Sequence, residues 1–241
     1  MITKIDGKHV IDNIVVQDNV LVQSCYQMSV NEKKLLALGM SKLNPMELPA
    51  MIAGGEVVIE VSVEEWVAAF GDKNPYASMR DAADRLLGRN WRTDDPKIKG
   101  PYTKVNWFDS CYYDRARGVV RLLFCRHTSL FLQGMVDEFT KYRIGDIAQL
   151  GSFNQIRLYE MLCQFSETGF LTIGLDELKT RLCLERSYPR WVDFDRHVIK
   201  PSLAAINKSA GLGVTYKTVK TQRKVTRVEF FFPPVKRVTD E

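Results

Sequence analysis

The chain holds 241 residues, 45% hydrophobic, 10% aromatic and 26% charged, a balance that excludes collagen-like, disulfide-scaffold and wholly disordered chains. No apolar run approaches the roughly 20 residues needed to cross a bilayer, and residues 1–10 lack the charged-then-apolar layout of a secretory signal. Five scattered cysteines (Cys25, Cys111, Cys125, Cys163 and Cys183), with no C-x-x-C pair, predict a cytoplasmic protein with reduced thiols and no zinc site, Cys163 and Cys183 lying on buried helical stripes.

In chain order, residues 1–18 read as an arm or edge strand. Ser29-Val30-Asn31-Glu32-Lys33-Lys34-Leu35 places Ser three residues before Glu, a capping box that opens a helix. Leu35, Leu36, Leu38, Met40 and Leu43 continue that helix at helical spacing. Residues 44–56, with two prolines and Gly54-Gly55, predict a loop. Val57 to Val61 is a short β-rich run, and Val63-Glu64-Glu65-Trp66 opens another helix. Tyr76, Met79, Ala82, Leu86 and Leu87 then form the buried stripe of a third helix. Strands follow over 102–107 and 119–125, around the turn-rich 113–118, and a helical connector is predicted over 130–150.

The order then repeats. Ser152-Phe153-Asn154-Gln155-Ile156-Arg157-Leu158 matches the first capping motif. Downstream, at a constant offset of 112 residues, Gly169 to Ile173 matches Val57 to Val61, and Leu175-Asp176-Glu177-Leu178 matches Val63 to Trp66. Tyr188, Trp191, Phe194, Val198 and Ile199 repeat the third stripe, and strands over 214–219 and 225–232 flank 220–224. Residues 233–241 read as a frayed tail. Helix, strand, helix, helix and β-hairpin, twice over, is the order of a winged helix. The predicted fold is α+β: two tandem winged-helix domains related by internal duplication, residues 1–131 and 132–241, joined by the helical connector.

The charge is uneven. Lys179 to Arg237 holds fourteen Lys/Arg against four acids, whereas residues 1–131 hold seventeen against sixteen. A cationic stretch of that kind attracts a polyanion, of which nucleic acid is the commonest. In a helix-turn-helix unit the second helix lies in the major groove. Here it is predicted to start near Ser187-Tyr188-Pro189, with Ser187 as N-cap and Pro189 in the first turn. Arg190, Asp193, Arg196, His197 and Lys200 face outward, and Pro201 is expected to kink or restart the helix. The hairpin tip from Lys217 to Arg227 holds five cations and no acid, as suits a wing lying along a duplex backbone. The first copy offers Tyr76, Ser78, Arg80, Asp81, Asp84, Arg85, Arg89 and Arg92 on its matching helix. Enzyme signatures are missing: His9, His127 and His197 are far apart, and neither a phosphate-binding Gly-x-x-x-x-Gly-Lys-Ser/Thr loop nor Gly-x-Ser-x-Gly occurs. No catalytic residue, metal site or cofactor is expected.

The run Ser187-Tyr188-Pro189-Arg190-Trp191-Val192-Asp193-Phe194, the closing Lys224-Val225-Thr226-Arg227-Val228-Glu229-Phe230 and the early Ser29 to Leu35 together resemble the iteron-binding plasmid replication initiators over roughly residues 20–232. That resemblance implies a protein that binds directly repeated origin DNA as a monomer and helps open the adjacent A·T-rich duplex. It also implies recruitment of a host replication initiator and helicase, and repression of its own promoter at an inverted repeat as a dimer. Carried over, it puts DNA contacts at Ser187, Tyr188, Arg190, Arg196 and Lys200 on a recognition helix over 187–200, and at Lys217, Lys220, Arg223 and Lys224 on the wing. A first-domain helix over 76–91 would read the other half of the repeat through Ser78, Arg80 and Arg85, with Asp81 and Asp84 orienting the arginines or accepting from cytosine. Two other readings stand beside it: a dimeric transcriptional repressor without a replication role, and a winged-helix protein-interaction module. Partners on the leading reading are double-stranded DNA, host replication proteins and a second copy of the chain, with no membrane.

Overall fold

The computed structural model describes residues 10–44, 47–93, 103–133 and 139–234. Expectations for residues 1–9, Tyr102, Met135, Val136 and the tail from 235 lie outside them. A strand, β1 (Ile14–Asp18), runs into α1 (Asn19–Gln23), capped by Asp18, which accepts from the Val20 N–H at 2.7 Å. The first unit then follows: α2 (Val30–Met40), α3 (Leu48–Ala53), β2 (Val58–Ser62), α4 (Val63–Phe70) and α5 (Pro75–Leu86). Ser29 Oγ caps α2 by accepting from the Glu32 N–H at 3.2 Å, and a full capping box of Ser62 and Glu65 opens α4. A ribbon of β3 (Asn90–Thr93) and β4 (Thr103–Asn106) precedes the wing hairpin, β5 (Phe108–Asp114) and β6 (Val119–Phe124).

After α6 (Arg126–Gln133), β7 (Phe139–Arg143) and α7 (Ile144–Ala148), the second unit comprises α8 (Phe153–Cys163), β8 (Phe170–Gly174) and α9 (Leu175–Arg181). Next come α10 (Trp191–Phe194), a π-helical turn (Asp195–Ile199) and α11 (Lys200–Ala210), and last β9 (Thr215–Thr221) and β10 (Lys224–Phe231). The sheets have the same order, β2-β6-β5 and β8-β10-β9, each unit's first strand lying against its last. At the rim of the second sheet Gly169 has a φ of +66°, and a Cβ there would lie 2.3 Å from the Phe232 carbonyl. The Phe232 N–H donates to the Gly169 carbonyl at 2.9 Å, so a side chain at 169 would push the last strand off the sheet.

Several expectations are corrected. The stretch 130–150 is not one helix: it divides into the end of α6, the strand β7 and α7. β7 pairs antiparallel with β1, from Ile14↔Arg143 to Asp18↔Phe139, because an edge strand leaves a row of donors and acceptors to satisfy. The duplication therefore begins earlier than the sequence pattern suggests, each unit opening with a strand and a short helix (β1–α1, β7–α7). The predicted loop over 44–56 contains α3, with a proline in its first turn. The first hairpin is β5–β6, and β4 pairs instead with β3. α5 ends at Leu86, so Leu87 is 48% exposed and Arg89 and Trp91 lie beyond the helix. Cys183 lies on no helical stripe but in the turn after α9, at φ +53°, and, against the expectation of reduced thiols, it is disulfide-bonded to Cys25. The fold brings these two residues, 158 positions apart, to a Cα–Cα distance of 5.5 Å, a proximity that spacing in the chain does not encode.

The core is continuous across both units. α2 and α8 are buried on almost every face, Glu32, Lys33, Arg157 and Glu160 included. Lys33 Nζ lies 2.7 Å from Glu160 Oε1, and Arg157 lies 2.9 Å from Glu160 Oε2. Tyr142 donates to Glu160 at 2.7 Å, and Tyr26 Oη accepts from Lys33 and from Arg157, each at 2.9 Å. Burial alone would raise the Glu160 carboxyl, but Lys33 and Arg157 outweigh it and hold the group below its ordinary range. The repeated capping motif has a second role at this joint. Its basic residue in the first unit, Lys34, donates to the Ala148 carbonyl at the end of α7 at 2.8 Å. Its counterpart Arg157 donates to the Val22 and Ser24 carbonyls at the end of α1, at 2.7 and 2.8 Å. Each unit thus caps the short opening helix of the other, where a cation is favoured.

Candidate nucleic-acid interface

The second helix-turn-helix is built from α9 and the helical stretch over 191–210. Phe194, Val198 and Ile199 are buried, and Trp191 packs on Phe194 and Tyr216. Ser187 does not cap this helix: Arg190 occupies the cap position, its side chain making no cap bond. Tyr188, disfavoured from the helical region by the following Pro189, takes a φ of +53° and turns the chain. Its carbonyl accepts from Lys179 at 2.8 Å, and its ring stacks on His197 at 5.9 Å. The helix restarts where Pro201 was expected to restart it: α11 begins at Lys200, with Pro201 in its first turn. The Lys200 N–H bonds back to the Asp195 carbonyl, closing a π-turn, and that wider turn makes room for a ring that would otherwise meet the carbonyl four residues earlier.

The helix presents a stripe to solvent at Val192, Arg196 and Lys200, four residues apart, with His197 beside it. Arg190 is extended, its side chain 79% exposed, and grips Asp193 through two hydrogen bonds of 2.7 and 3.0 Å. The hydrogen bond from Arg190 holds the Asp193 carboxyl below its ordinary range. Asp195 ties the helix to the wing: it accepts from Tyr216 Oη on β9 and lies 3.1 Å from Lys200 Nζ. Burial, then Asp195, pushes the Tyr216 phenol up, so it stays a donor. Beyond it Lys217, Lys220, Arg223 and Lys224 are all exposed. The wing turn is tighter than its sequence suggests: Gln222 and Arg223 alone form it, at φ +49° and +70°, the two-residue geometry whose twist matches the flanking strands. Arg227, exposed on β10, belongs to this surface; it falls within the cationic run but outside the contacts carried over by resemblance.

In the first unit, Arg80 and Arg85 are exposed on α5, but Arg80 pairs with Asp81 at 3.3 Å. Ser78 is half-buried and hydrogen-bonds Asp72, which also accepts from Trp66 Nε1 at 2.9 Å. Arg89 is a structural residue, its guanidinium gripping the buried Glu32 at 2.6 and 3.1 Å, and Arg92, on β3, pairs with Glu185 of the other unit. On the first wing Arg115 is exposed, while Arg117 meets Glu60 at 3.2 Å. The cationic surface is therefore concentrated on the second unit.

Two family models match this arrangement: one described as "Initiator Replication protein, WH1" over residues 14–163, and one described as "Initiator Rep protein, WH2" over 174–232. The chain is 25% identical over 212 residues to an uncharacterized 27.6 kDa protein of Escherichia coli, covering 84% of this chain and 88% of that one. It is 23% identical over 202 residues to an Escherichia coli replication initiation protein, covering 80% of this chain; the match spans 62% of that relative's length. Among solved structures, the Pi initiator protein in complex with iteron DNA superposes with a TM-score of 0.76 at 18% identity, over 95% of this chain and 98% of that one. The two matched segments span nearly all of the described residues, and the chain belongs to the replication initiator (Rep) family, with one winged helix in each half.

Proposed function

We propose that this replication initiator binds short, directly repeated origin sequences in duplex DNA, laying its two winged helices in grooves about one helical turn apart on a site of roughly 20 base pairs. The observation that carries this reading is the second unit's surface: Arg196 and Lys200 on the helix and Lys217, Lys220, Arg223, Lys224 and Arg227 on the wing, all exposed on one winged helix. The likeness in fold to the Pi initiator, solved with iteron DNA, supports it. On this reading the protein works in the cytoplasm, opens the neighbouring A·T-rich duplex, brings in a host replication initiator and helicase, and represses its own promoter as a dimer at an inverted repeat. Catalysis, metals and cofactors form no part of it. Among the described residues no helix is long and apolar enough to cross a membrane.

The test is a footprint and stoichiometry measurement on the repeats flanking the coding region. One chain per repeat, protecting two successive grooves with an affinity that falls steeply with salt, is expected. Two chains per repeat would favour the dimeric repressor, and no binding at low salt would favour a protein-interaction module.

A further inference from the structure

We infer that Val192 reads the C5-methyl group of a thymine, so that the second winged helix selects its site partly through an apolar contact. The inference rests on the DNA-binding reading above and concerns one contact within it. In a helix-turn-helix unit the residues at the start of the second helix reach the base edges. At the start of this one, Arg190 and Asp193 are bound to each other through two hydrogen bonds. Trp191 is packed between Phe194 and Tyr216. Val192, 62% exposed, is the side chain of residues 190–193 that neither packs on a ring nor joins an ion pair in the structure. A single exposed valine needs no explanation on an ordinary surface. Its placement is what matters: it lies one helical turn before Arg196 on the same face, within the most cationic surface among the described residues.

Chemistry narrows what such a residue can recognise. Valine has no donor or acceptor, so it cannot distinguish bases by hydrogen bonding. The apolar group that a base pair presents in the major groove is the thymine methyl, and short aliphatic side chains are among its partners. The adjacent guanidinium of Arg196 has the donor fork that matches guanine O6 and N7. Together they imply a half-site in which a thymine lies next to or one step from a guanine.

Removing only the methyl tests this. A duplex carrying the sequence that the intact chain enriches from a random-sequence library is remade with deoxyuridine in place of each thymine in turn, and binding is followed by fluorescence anisotropy. At one or two positions the wild-type chain should lose about three- to fivefold in affinity, the worth of one buried methyl. Val192→Ala should bind the thymine and uracil duplexes alike at those positions, while its thermal unfolding, with an exposed side chain shortened, stays as in the wild type. If every thymine tolerates loss of its methyl, or Val192→Ala keeps the wild-type discrimination, the inference is overturned and the DNA-binding reading stands. If the library yields no enriched sequence and no duplex is bound at low salt, both fall together.

Discussion

At the offset of 112 residues, Arg80 of α5 stands where the second unit has Val192, Asp81 where it has Asp193, Asp84 where it has Arg196, and Gly88 where it has Lys200. The core-facing positions behave differently: Met79, Ala82 and Leu86 correspond to Trp191, Phe194 and Val198, apolar in both units. The two winged helices thus keep the residues that seat the helix on its sheet and diverge in those held out to solvent. A side chain inside a close-packed core must fit neighbours on all sides, whereas an exposed one answers only to what it meets from outside. The same scaffold can therefore be nearly neutral in one half and strongly cationic in the other. The wings show this too, the first turning at Gly118 (φ +62°) and the second holding Gln222 and Arg223 in the left-handed region.

The comparison is sharpest at the joint, where the equivalent cations Lys34 and Arg157 reach across. Arg157→Met leaves Glu160 in a buried site with half its charge compensation and two carbonyls without their donor; about 3–5 kcal/mol of stability should be lost in chemical denaturation. Lys34→Met removes one bond from a partly buried site and should cost about 1 kcal/mol. Equal losses would mean that burial does not distinguish the two clasps. Because the Glu160 carboxyl is depressed in the folded protein, its stabilisation is complete above the unfolded value of 4.5 and is lost as the pH falls below it. Acid titration of the unfolding transition should show that dependence in the wild type and lose it in Glu160→Gln.

The disulfide also ties the units, joining the segment before α2 to the turn before the recognition helix. Cys183→Ser should lower stability by about 2–4 kcal/mol under oxidising conditions and leave it unchanged in excess dithiothreitol; a loss that persists under reduction would assign the effect to packing. For recognition, Arg196→Ala should weaken binding to the enriched duplex by about 1–3 kcal/mol. Arg80→Ala, removing a cation already paired with Asp81, should cost less. Matching losses would show that both halves read DNA with equal weight. At the second wing the expected stability change has the opposite sign. Replacing Gln222-Arg223 by Asn-Gly relieves two side chains of a left-handed backbone and should stabilise the fold by about 1–2 kcal/mol. The same change should weaken DNA binding and reduce the salt slope by about one.

Local patterns in the chain were sufficient for much of this. Ser29 with Glu32 and Ser152 with Gln155 mark helix starts that the structure keeps, since a cap is a contact between residues three apart. The alternating runs around Val58 and Leu171 are strands, and the concentration of cations after Lys179 is visible without coordinates. Where the pattern misled, a distant segment decided. β7 is a strand because β1 offers it an edge, and Ser187 is not a cap because Tyr188 is held in a left-handed turn by Lys179 and His197. Arg89, on the face list from spacing alone, is drawn off to Glu32.

The repeated core order of helix, strand, two helices and hairpin, the duplication and the charge asymmetry are thus determined by the sequence itself, because each depends on spacing or tally along the chain. The pairing of Cys25 with Cys183, the buried ion cluster around Glu160, and the choice of which basic residues stay free for DNA were decided only in three dimensions. Each of these depends on residues that approach one another across more than a hundred positions or on a partner from another element. No local periodicity records that proximity.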